Sequence, residues 1–96
     1  MSIAVRVLNG GKEIQGVFED DEERSLFTYC CLAPDTTVRW GVNEYRETIF
    51  NSKQAFQLLR ELEELPEEEF TPVLRQLRSA ARYVYHRSGY LYFIGD

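Results

Sequence analysis

Apolar residues at Ile3, Val5 and Val7 alternate with Ala4, Arg6 and Leu8, the period-two pattern of a half-buried strand. Asn9-Gly10-Gly11 supplies residues that accept a left-handed backbone, and Ile14, Gly16 and Phe18 resume the alternation, so the first twenty residues predict a hairpin. Leu26-Phe27-Thr28-Tyr29-Cys30-Cys31-Leu32 is apolar on both alternating sets and predicts a central strand. Val38, Trp40 and Val42 predict one face of a further strand, followed by another over 45–50.

The period then changes to 3.6. Asn51 with Gln54 three residues on has the form of a capping box, and Ala55, Leu58, Leu59, Leu62 and Leu65 form an apolar stripe, so a helix is predicted over 52–65, ended by Pro66. Thr71-Pro72 starts a second helix with the proline where its missing N–H is harmless. Phe70, Leu74, Leu77, Ala81 and Val84 form its core face, and Gly89 marks its end. Tyr90-Leu91-Tyr92-Phe93-Ile94 is aromatic and β-branched, the composition of a closing strand. The expected fold is α+β: an antiparallel β-meander of four to five strands, two antiparallel helices packed on one face, and a short C-terminal strand, in one domain over residues 1–96.

Composition narrows the function classes. With 44% hydrophobic and 28% charged residues the chain has the make-up of an ordinary globular domain, long enough to bury one core without metals or disulfides. A net charge of -5 disfavours a protein devoted to gripping nucleic-acid phosphates. The longest uncharged run, beginning at Ser25, is far too short to span a membrane, and the N-terminal residues lack a signal-peptide pattern, so a cytoplasmic location is expected. Cys30 and Cys31 are adjacent, with Cα atoms only about 3.8 Å apart, below the disulfide window.

Candidate chemistry is sparse. One histidine and a vicinal cysteine pair do not make a zinc set, so neither a metal nor a cofactor is expected. Nucleophilic catalysis would require Cys30 or Cys31 beside His86, with Asp96 or Glu47 to orient it, and no local pattern signals this. A non-enzymatic protein is expected.

Charge sorting changes the picture more than any motif. Eleven of the 16 carboxylates lie in two blocks, 19–23 and 61–69, whereas 70–95 holds none. Like charges crowded on a surface repel one another, and a partner of opposite sign relieves that cost. The expected function is therefore protein binding by a small acidic inhibitor or neutraliser that masks a basic surface. Immunity proteins and anti-defence inhibitors use this physical scheme, although no motif ties the chain to them. The expected partner-binding residues are Glu19, Asp20, Asp21, Glu22, Glu23, Glu64, Glu67 and Glu68. Arg75, Arg78 and Arg82 form a cationic stripe on the second helix, which supports an alternative: an anion- or RNA-binding domain or enzyme. A third reading is a subunit of a larger assembly, or a homodimer in which that stripe meets the acidic block of a second copy.

Overall fold

The computed structural model describes residues 2–95. One antiparallel sheet carries four strands, β1 (Ala4–Leu8), β2 (Ile14–Glu19), β3 (Glu47–Phe50) and β4 (Tyr90–Ile94), in the spatial order β2-β1-β4-β3. Two helices, α1 (Ser52–Glu63) and α2 (Pro72–Arg87), pack against each other and against one face of that sheet. The α+β class read from the chain is the one observed. The closing strand lies in the middle of the sheet, hydrogen-bonded to β1 on one side and β3 on the other.

Both helices start where their capping residues stand. The Asn51 side chain accepts the Gln54 N–H at 3.0 Å while the Gln54 side chain accepts the Asn51 N–H at 2.9 Å, a reciprocal capping box. Thr71 caps α2 through the Leu74 N–H, with Pro72 at the first helical position. Ser88, in the left-handed region at φ 52°, terminates α2. Gly89 follows for a steric reason: a Cβ there would overlap the Leu8 carbonyl across the β1–β4 pair.

Two expected strands are helical instead. Residues 27–31 form a π-helical turn, and a single 3-10 turn occupies Arg39–Gly41. The cause lies just upstream. Arg24 reverses the chain in the left-handed region at φ 59°, and the Asp20 and Asp21 carboxylates take up the N–H groups of Ser25, Leu26 and Phe27. Those N–H groups are the unpartnered donors of a helix start, and their capture favours helix over strand. Leu26 and Cys30, four apart, are then both fully buried, while Leu32 is exposed. At the first hairpin the left-handed position is Lys12, at φ 65°, and neither glycine of the turn takes it.

The core lies between the sheet and the helices. Val5, Val7, Leu91, Phe93 and Phe50 meet Ala55, Leu58, Leu62, Leu77, Ala81 and Val84, with Leu26 and Cys30 closing one end. Phe93 is fully buried and meets Phe50 edge-on at 5.2 Å between ring centres. The opposite sheet face carries Arg6, Val17, Ile49 and Tyr92, set side by side by the registers Arg6 to Val17, Arg6 to Tyr92 and Ile49 to Tyr92. Val17 and Ile49 are more than half exposed there.

Candidate functional site

The first acidic block divides into inward and outward members. Asp20 accepts the Leu26 N–H at 2.7 Å and the Phe27 N–H at 3.0 Å; Asp21 accepts the Ser25 N–H at 2.8 Å and the Ser25 hydroxyl at 2.6 Å. These bonds to Ser25 hold the Asp21 carboxyl below its ordinary range, because they favour the charged form. Glu19, Glu22 and Glu23 remain on the surface. Asp20 and Asp21 therefore fasten the π-helical turn to the end of β2, and the exposed glutamates carry the negative charge presented outward.

The second block divides in the same way. Glu61 is buried on α1 and accepts the Val38 N–H at 2.8 Å, the Arg39 N–H at 3.3 Å and the Arg39 guanidinium at 3.0 Å. Glu67 is exposed and contacts two guanidinium groups, Arg75 at 3.4 Å and Arg78 at 3.2 Å. Glu63, Glu64, Glu68 and Glu69 are exposed.

One glutamate of each block borders a shared hollow. Glu23, Ser25, Thr28 and Tyr29 from the first region face Leu65, Glu69, Thr71 and Leu74 from the corner between the helices across an open hollow of about 290 Å³. Two carboxylates and several hydroxyl-bearing side chains thus line one concavity, a set of acceptors suited to an ammonium or guanidinium group. The Tyr29 hydroxyl is buried beneath this region without a hydrogen-bond partner among the described residues, and burial pushes its pKa up to about 12 against the opposing pull of Arg39.

Glu69 was not among the residues expected to bind a partner, and local sequence held no sign that it, more than Glu67 or Glu68, would face the first block. Glu61 was likewise indistinguishable from its neighbours, except that it follows Leu58 by three residues and so continues the inner stripe of α1.

Two of the α2 stripe arginines are engaged within the chain. Arg75 and Arg78 pair with Glu67, and the Arg78 guanidinium stands 4.3 Å from the centre of the Phe70 ring. Arg82 is exposed further along the helix. Arg39 is committed to Glu61 and to the Tyr29 carbonyl at 2.9 Å.

Trp40 and Tyr45, half or more exposed, line a separate shallow hollow with Cys31, Asn43 and Glu44. Trp40 therefore departs from the strand face it was expected to share with Val42, which is buried.

The cysteines sit in settings that suppress the thiolate. Burial pushes the Cys30 thiol far above its ordinary value, and burial together with Glu44 raises that of Cys31. His86 lies in the last turn of α2 with its ring 5.0 Å from that of Tyr85, and Asp96 falls outside the described residues. Among the described residues no group of three or more His, Cys, Asp or Glu side chains is placed to hold a metal ion, and no helix is long and apolar enough to cross a membrane. Set against known proteins, the chain matches no family model, no curated protein and no solved structure.

Proposed function

We propose that this protein is a non-catalytic binding module whose acidic corner docks on a basic surface of another protein and masks it, acting as an inhibitor or neutraliser. The observation that carries the reading is the shared hollow of Glu23 and Glu69, which come from the two separate acidic blocks and stand 46 positions apart in the chain. Bringing like charges together raises the energy of the free protein, and a lysine or arginine inserted between them lowers it. The hydroxyl groups of Ser25, Thr28 and Thr71 complete the acceptor set around the inserted cation. The exposed Glu19, Glu22, Glu64 and Glu68 extend the same sign of charge around the corner and speed encounter with a basic partner. Asp20, Asp21 and Glu67 support the surface from beneath or beside it, since their carboxylates are engaged within the chain.

The test is capture of partners from native extract at low salt, followed by elution with rising salt and repetition with Glu23→Lys/Glu69→Lys. A basic protein is expected to elute sharply, and the double variant is expected to associate more slowly with a flattened salt dependence. Retention of the same partner with the same salt profile by the double variant overturns the reading.

A further inference from the structure

Strand β2 lies at the edge of the sheet, and its outward side has the hydrogen-bonding pattern of a strand ready to be paired. The Asp20 N–H donates to the Ile3 carbonyl at 2.9 Å, and the register pairs Val5 with Phe18 and Val7 with Gly16. In an antiparallel ladder alternate residues bond to the same neighbour, so Phe18 and Gly16 direct their backbone groups toward β1, while Val17 and Glu19 direct theirs away from the sheet. The register shift between Val7 and Leu8 sets Gln15 apart as the bulged residue at the other end of this segment.

Gly16 leaves a gap. A Cβ built there would meet nothing within 4 Å, and beside it an open groove of about 580 Å³ runs between β2 and α2, lined by Phe18, Gln76, Ser79, Ala80 and Tyr83 among others. An apolar side chain entering from a neighbouring strand has room at this point.

We infer that the β2 edge pairs with the β2 edge of a second copy of this chain, antiparallel about a two-fold axis at Val17, joining two four-stranded sheets into one of eight strands. Complementarity within β2 argues for this occupant. With the axis at Val17, that residue exchanges two backbone hydrogen bonds with its own copy, and both partners point outward as the ladder requires. Gly16 then stands opposite Phe18 of the second copy in a non-hydrogen-bonded pair, the closer kind, so an aromatic ring covers the glycine gap on both sides of the axis. Gln15 faces Glu19 of the second copy, an amide donor against a carboxylate.

Two alternative registers fail on charge. Centring the axis on Gly16 sets Glu13 against Glu19, and centring it on Glu19 sets that carboxylate against itself. The interface is isologous, so it closes at two copies; it takes Glu19 into the seam and leaves the hollow of Glu23 and Glu69 in each copy free to act as proposed above.

The test is the solution mass of the full chain by sedimentation equilibrium from low micromolar to submillimolar concentration, at moderate salt, beside two variants. Val17→Lys places two like charges at the axis from a position that is 58% exposed, and Val17→Pro removes the outward N–H while leaving the bonds to β1 intact. The natural chain is expected to approach twice its 11.3 kDa mass. Both variants, with circular dichroism like that of the natural chain, are expected to dissociate at concentrations about tenfold higher or more. A natural chain that stays monomeric throughout the range overturns the inference, as does a dimer whose dissociation constant neither variant alters.

Discussion

The Glu61 carboxylate lies 3.0 Å from the Arg39 guanidinium, with the two side chains only 8% and 18% exposed. Glu61 also accepts the backbone N–H groups of Val38 and Arg39, and Arg39 reaches on to the Tyr29 carbonyl and stacks over the Tyr29 ring. Three segments without long-range ladder bonds of their own, α1, the Arg39–Gly41 turn and the π-helical turn, are joined through this pair. Since Tyr29 lines the acidic hollow, the pair also fixes one of its walls.

Removing one partner of a buried ion pair leaves the other charge uncompensated, which costs about 3–5 kcal/mol. Glu61→Ala is therefore expected to lower stability by roughly that amount in urea titration, and Glu63→Ala, one turn-edge away on the surface, by less than about 0.5 kcal/mol. The double variant Arg39→Leu/Glu61→Leu is expected to recover part of the loss. Equal midpoints for Glu61→Ala and Glu63→Ala would contradict the role assigned to the pair.

Stability is expected to fall in acid through the caps of the π-helical turn. The Asp21 carboxyl is held below its ordinary value of 3.8, mainly by the Ser25 hydroxyl and N–H. A group with a lowered folded pKa contributes stability that is fully present above its unfolded value and lost as pH falls through the folded one. Ser25→Ala weakens that preference, so its stability difference from the natural chain should be largest near neutral pH and shrink below pH of about 4. Denaturant midpoints measured across that range decide the matter; a difference that grows on acidification contradicts it.

The two thiols should separate cleanly by reactivity. Cys30 is fully buried and Cys31 only half-buried, and burial raises both thiols. Thiol titration of the native protein near neutral pH is expected to modify Cys31 slowly and Cys30 only at the rate of unfolding, with both reacting promptly in denaturant. Rapid native modification of Cys30, mapped by peptide mass, would show that the π-helical turn does not pack as described.

Neutralising Glu67 tests whether the α2 arginines are held in reserve. Glu67→Gln removes the carboxylate shared by Arg75 and Arg78, an exposed contact worth less than about 1 kcal/mol, so stability should hardly change. Retention on heparin is expected to rise, because two guanidinium groups lose their local counter-charge. Unchanged retention would mean that Glu67 does not govern the basic face of α2.

Local chemistry made much of this structure legible. The capping box at Asn51 and Gln54, the Thr71-Pro72 start and the 3.6 period of both leucine stripes determined two helices whose inner residues are the buried ones, because a helix is specified by neighbours a turn apart. The hairpin and the aromatic closing strand were legible for the same reason at period two. The run Leu26–Leu32 was not. Seven largely apolar residues satisfy a buried strand and a short helical turn equally, and the arbiter was the pair of aspartates upstream acting as caps and not as loop charges.

Tertiary structure alone decided the rest, since each case depends on groups far apart in the chain. The last strand became central because β1 and β3 both present open edges to it, Glu61 was drawn inward by an arginine twenty-two residues earlier, and Glu23 and Glu69 line one hollow only because the folded chain sets the π-helical turn against the corner between the helices. The sequence determined how much negative charge the protein carries and on which segments. Folding determined which of those carboxylates became caps and ion-pair partners, and which stayed at the surface, because a carboxylate turns inward only where donors converge on it.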